Sequence, residues 1–142
     1  MRTAVVVVAL AAAVFMLRQR FTSKTPSLDA ALKSARERHA PLVLEFSMEG
    51  CHACRIFENT ILPSPAVQEA IKPVHFVRYN VTEEAAGREA AERLRVNAFP
   101  TVVVVGDNGR ERVRMEGFPA GPPGVTYFAE FLHKAVANAA FQ

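Results

Sequence analysis

The chain has only two cysteines, and they stand three residues apart, at Cys51 and Cys54. A chain stapled by disulfides spreads its cysteines along the sequence. A C-x-x-C pair reads instead as a redox dithiol or as half of a metal site. A structural zinc site needs four ligands. Cys51, His52 and Cys54 are local, but His39, His75 and His133 are scattered singly and none is paired with a further cysteine. Haem attachment requires a histidine directly after the second cysteine, and Arg55 stands there. The redox reading leads. The alternatives are a zinc- or copper-binding C-H-x-C motif and a non-catalytic binding module.

The 142 residues provide for one domain. Ser27 can cap a helix running to about Arg38, with Leu28, Ala31, Leu32 and Ala35 at helical spacing and Pro41 as its stop. Leu42-Val43-Leu44-Glu45-Phe46 has strand length, and Gly50 turns the chain into a helical pattern that begins at Cys51 and is broken by Pro63 and Pro65. Residues 74–81 read as a strand. Residues 82–94 read as a helix, with Thr82 as its cap and Glu84 paired to Arg88. Thr101 to Val105 is a β-branched run, Asp107-Asn108-Gly109 a hairpin turn, and Arg112 to Glu116 a half-exposed strand. A Pro/Gly turn at 121–124 precedes a closing amphipathic helix over 125–137. This order predicts an α/β fold, a mixed central sheet with helices on both faces.

A dithiol at a helix start has a physical purpose. Unpaired backbone N–H groups and the helix dipole stabilise negative charge on Cys51, and the thiolate is the nucleophile. Cys54, on the same helical face, can attack the mixed disulfide that Cys51 forms. His52, when protonated, would favour the thiolate. Glu45 is a lone acid in an apolar strand, six residues before Cys51. If buried it has a raised pKa and can take the Cys54 proton; the plainer reading is an acid at a strand edge facing water. Glu58 falls near the Cys51/Cys54 face by helical geometry, although a solvated acid fits the spacing as well. Pro100, in Phe99-Pro100-Thr101, would suit a cis bond or an ordinary trans turn.

An acid in a strand, C-x-x-C, Phe-Pro-Thr before a strand, a hairpin, Gly117 and a final helix together resemble the thioredoxin superfamily over roughly residues 27–138. The segment PLVLEFSMEGCHACRIFE (41–58), Asn80-Val81-Thr82 and Phe99-Pro100-Thr101 are most similar to the C-terminal thioredoxin-like domain of the bacterial thiol:disulfide interchange protein DsbD. The resemblance implies that Cys51 attacks, Cys54 resolves, Pro100 is a cis-proline beside them, and Glu45 and Glu58 tune the cysteines, with Phe99 and His52 adjusting the redox poise. It implies no cofactor. Gly50 and His52-Ala53 depart from thioredoxin, which has Trp before its first cysteine and Gly-Pro between the two. DsbD's multi-spanning electron-transfer domain has no counterpart here, so the expectation is a relative of DsbD rather than DsbD itself. Two acids against one mostly neutral histidine favour a raised Cys51 pKa and therefore a reductase.

Residues 4–17 (AVVVVALAAAVFML) are uninterruptedly apolar, flanked by Arg2 and by Arg18 and Arg20. The run is short for a spanning helix, and a signal peptide would end in a small-residue cleavage site that is missing here. An uncleaved anchor over residues 1–20 is the favoured reading, with a linker over 21–26 and the domain over 27–142; a cleaved signal and a core helix are the alternatives. Of the 17 basic residues four precede Thr25, leaving 13 against 14 acids, so the folded part has no nucleic-acid signature. The expected setting is a single pass through the inner membrane. By family analogy, and against a weak charge bias, the domain faces the periplasm. Its expected partners are disulfide-containing proteins and an upstream thiol donor.

Overall fold

The computed structural model describes residues 25–139. The anchor expected over 1–20 and most of the linker expected over 21–26 lie outside them. Among the described residues no helix is long and apolar enough to cross a membrane.

The elements run α1 (Leu28–Glu37), β1 (Leu42–Ser47), α2 (His52–Ile56) continued by a π-helical turn (Phe57–Ile61), α3 (Pro65–Ile71), β2 (His75–Asn80), α4 (Ala85–Arg93), β3 (Thr101–Val105), β4 (Glu111–Glu116) and α5 (Pro122–Ala139). The sheet order is β2-β1-β3-β4. β1 pairs parallel to β2 and antiparallel to β3, and β3 pairs antiparallel to β4. This is the expected mixed sheet.

Two hydrophobic clusters cover its two faces. Leu42, Leu44 and Phe46 of β1 point with Val77 and Tyr79 into a core closed by α1 and α4. Val43, Val102 and Val104 point the other way, against Phe57, Ile61, Val67 and the α5 residues Phe128 and Leu132. Phe57 is fully buried between Phe118 and Phe128, with centroids 5.3 and 4.9 Å away. Aromatic pairs of this kind contribute about 0.5–1.5 kcal/mol each beyond their burial. They fix the helix that carries the cysteines to the sheet.

Ser27 caps α1 as expected, its hydroxyl accepting from the Ala30 N–H at 3.3 Å. Two local expectations fail. The fourth helix starts at Ala85, not Thr82, and the Thr82 hydroxyl instead accepts the Glu49 N–H at 3.1 Å, joining the β2–α4 turn to the loop before the motif. Glu84 does not pair with Arg88. One of its oxygens accepts the Asn80 N–H at 3.0 Å and the other the Thr25 hydroxyl, while Arg88 donates to the Val81 and Thr82 carbonyls. Unpaired backbone groups in the turn outbid a surface ion pair of small value. The closing helix also begins earlier than expected, because Pro122 suits a first helical turn.

Candidate active site

Gly50 has φ +76°, and nothing lies within 4 Å of where a Cβ would stand, so torsion rather than space selects glycine at this turn. The turn delivers Cys51 as the N-cap of α2. Cys51 Sγ accepts the Cys54 N–H at 3.1 Å, so the sulfur sits where backbone capping favours negative charge. Cys51 and Cys54 are joined in a disulfide. The two sulfurs are not equivalent. Cys54 is buried, at 2 % exposure, whereas Cys51 is part-exposed between exposed His52 and Ala53 on one side and the Phe99 carbonyl on the other. That carbonyl oxygen lies 3.8 Å from Cys51 Sγ. As half of a disulfide the sulfur has no proton to donate, so this is a contact that places Phe99 beside Cys51 Sγ. The Phe99–Pro100 bond is cis.

Glu45 is completely buried in the second strand in from the sheet edge, which removes the reading of a solvent-facing edge acid. Alternation along β1 puts Val43 and Glu45 on the face covered by α2 and its π turn. One carboxyl oxygen, Oε1, has no hydrogen-bond partner. The other, Oε2, accepts from Arg78 Nε at 3.4 Å. The Glu45 carboxyl is pushed up to about 7: burial raises it most, the Arg78 charge opposes the rise, and Glu58 adds to it. Glu58, in the π turn, accepts from Arg78 Nη2 at 2.9 Å.

The expected site residues therefore divide. Cys51 and Phe99 meet at part-exposed positions, each joined to a buried partner, Cys54 and Pro100, with His52 exposed beside Cys51. Glu45 lies beneath the helix, joined to Glu58 through Arg78. Arg78 escaped the sequence reading. The signal was there, a lone arginine in the apolar strand VHFVRYNV, but only the parallel register Glu45↔Arg78 reveals its partner. Among the described residues no three His, Cys, Asp or Glu side chains gather as a metal site.

A family model described as a thioredoxin-like domain matches residues 28–127. The thiol:disulfide interchange protein DsbD of Pseudomonas fluorescens is 38 % identical over 93 residues, 64 % of this chain and 16 % of that protein. DsbD of Cronobacter sakazakii is 32 % identical over 109 residues, 75 % of this chain and 18 % of that protein. The chain thus spans less than a fifth of the length of these curated relatives. Among solved structures, the reduced C-terminal domain of Neisseria meningitidis DsbD superposes with TM-score 0.62 at 24 % identity, covering 76 % of this chain and 93 % of that one. A thioredoxin from Thermus thermophilus superposes with TM-score 0.66 at 22 % identity, covering 82 % and 88 %. At these identities the solved structures speak for the fold alone.

Proposed function

This chain belongs to the thioredoxin-like domain family, and we propose that it is a thiol:disulfide oxidoreductase that reduces disulfides of exported proteins through Cys51 and Cys54. The observation that carries this reading is the asymmetry of the pair: a part-exposed helix-capping sulfur bonded to a buried one.

In the proposed cycle the Cys51 thiolate attacks a substrate disulfide, forming a Cys51–substrate bond and releasing one substrate thiolate. Cys54 then attacks Cys51 Sγ. Its S–H proton passes to the Glu45 carboxylate, the Cys51–Cys54 bond forms, and the second substrate thiolate leaves. Two electrons move from the protein dithiol to the substrate disulfide. The disulfide form described here is the end of that cycle, and an upstream thiol donor must reset it. Phe99 and Pro100 form the wall against which a substrate segment would lie, and Glu58 adds negative charge near the motif while His52 stands exposed beside Cys51. We place the domain in the periplasm, tethered by residues 1–20. The apolar run and the DsbD likeness support this setting.

Redox titration of Cys51/Cys54 tests the direction of flow. The expected midpoint is near about −270 mV, as for a reducing dithiol, and a value near about −120 mV would make the protein an oxidant. Alkylation of the reduced protein with iodoacetamide across pH should agree. A Cys51 pKa below about 5 belongs to strong oxidants and contradicts the reductase assignment. For the setting, a C-terminal alkaline phosphatase fusion should be active and a fluorescent-protein fusion dark; the reverse puts the domain in the cytoplasm.

A further inference from the structure

The end of α4 leads directly into the segment that carries Phe99 and the cis-proline. The Val96 N–H donates to the Ala91 carbonyl at 2.8 Å and the Arg95 N–H to the Glu92 carbonyl at 3.2 Å, the paired bonds of a helix that closes on a left-handed residue. That residue is Arg95, with φ +53°. Glycine ordinarily stands at such a position, because a Cβ in the left-handed region crowds the backbone. Arg114 of β4 holds the bend. Its Nη2 donates to the Leu94 carbonyl at 2.6 Å and its Nη1 to the Arg95 carbonyl at 3.4 Å. Arg95 is exposed, and among the described residues its guanidinium has neither a hydrogen-bond nor an ion-pair partner. Beside it lies an open pocket of about 320 Å³ with apolar walls of Val81, Ala91, Val96 and Phe99. Arg88, Arg95 and Glu92 stand around those walls. Arg88 is already engaged by the Val81 and Thr82 carbonyls. Phe99 joins the pocket to the dithiol, since its carbonyl lies 3.8 Å from Cys51 Sγ.

We propose that this pocket is a substrate subsite with Arg95 as its specificity-determining residue: it receives an apolar side chain next to the substrate's cysteine and selects substrates with acidic residues flanking that cysteine. This rests on the dithiol reading above and names its substrate class. A backbone outlier persists only where the surrounding structure enforces it, and such outliers gather at ligand-binding positions. Glycine at 95 would close the helix with less strain, so the long cation there answers to something other than the fold. Its guanidinium is unpaired, stays charged at every working pH, and can engage a carboxylate through two N–H groups at once. The rim carries two arginines against one glutamate, so its balance is positive. A rim charge of this kind adds little affinity, but it steers encounter and turns away partners of like charge. A substrate with lysines beside its disulfide is therefore disfavoured and one with glutamates is drawn in. A side chain seated against Phe99 brings the neighbouring disulfide towards Cys51 Sγ.

The test uses the reduced chain and disulfide-linked peptides of equal length, each with a leucine beside its cysteine and with flanking glutamates, glutamines or lysines. Stopped flow gives the second-order rate constant for reduction of each peptide near neutral pH. Wild type should favour the glutamate over the lysine peptide by about three- to ten-fold at low salt, the scale of an exposed ion pair together with its repulsive counterpart. High salt should shrink that ratio. Arg95→Gly and Arg95→Gln should lose most of it, and Arg95→Lys should keep most of it. Arg95→Gly should also melt at or above wild type, because glycine accepts the left-handed backbone. A wild type that reduces all the peptides alike overturns the proposal, and so does a ratio that survives in Arg95→Gly. Rates that fall together with the ratio unmoved mark a merely structural role and overturn it as well. A lower melting temperature in Arg95→Gly returns the side chain to the fold and has the same effect. If wild type reduces none of the peptides, the dithiol reading fails, and a cysteine-free leucine/glutamate peptide tests the subsite by itself. Amide NMR shifts on its addition that vanish in Arg95→Gly leave the subsite standing, and no shifts in wild type overturn it too.

Discussion

Cys51→Ser is expected to abolish disulfide reduction, and Cys54→Ser to leave the protein covalently joined to its substrate. The two sulfurs differ in access and in partners. Cys51 is part-exposed, caps α2 and lies against the Phe99 carbonyl, so a substrate disulfide can reach it. Cys54 is buried and bonded to Cys51, so a bulky substrate disulfide has no access to it. A serine oxygen at position 51 is a poor nucleophile near neutral pH, so turnover should fall to the uncatalysed level. With serine at 54 the first attack still proceeds, but nothing resolves the mixed disulfide. Non-reducing electrophoresis of each variant after exposure to oxidised substrate separates the cases. Substrate adducts should accumulate on Cys54→Ser and disappear on adding dithiothreitol. Adducts on Cys51→Ser instead would exchange the two roles.

The sheet and the site were legible to different depths. Periodicity alone places α1, β1 and β3, because Leu28, Ala31, Leu32 and Ala35 repeat at helical spacing and Thr101 to Val105 is an unbroken β-branched run. The burial of Glu45 follows from the same kind of reasoning, since an acid with apolar neighbours on both sides of a short strand has little chance of reaching water. What stayed hidden depends on contacts between segments distant in sequence. Thr82 carries the composition of a cap, yet its hydroxyl is taken by Glu49, 33 residues away. Arg78 is likewise 33 residues from Glu45, and their meeting needs the parallel register of β1 with β2, which no local pattern encodes. The π turn at Phe57–Ile61 was also invisible, although it supplies Glu58 to Arg78. Local chemistry names the cysteines; tertiary pairing decides which charges tune them.

Glu45→Gln should slow resolution by about 10²- to 10⁴-fold, the usual worth of a positioned general base, while leaving the first attack by Cys51 less affected. A carboxyl raised from 4.5 to about 7 is half ionised near neutrality, so wild-type turnover should climb through that pH. The glutamine variant, having nothing to ionise, should lose that limb. Stability should respond in the opposite sense to an ordinary surface acid. Between pH 4.5 and about 7 the folded protein holds a proton on Glu45 that the unfolded chain has released. The folded state is therefore favoured fully below the unfolded value, loses that advantage as pH rises, and has lost it above about 7. At about 1.4 kcal/mol per pH unit, wild type should lose about 3 kcal/mol relative to Glu45→Gln between pH 4 and pH 8. A domain of this size shows such a loss as a shift on the order of 10 °C in the difference between the two melting temperatures. Denaturant melts of both proteins at pH 4, 6 and 8 measure it directly. A stability difference that stays constant across that range would mean that Glu45 ionises as easily folded as unfolded, and would remove it as the proton acceptor for Cys54.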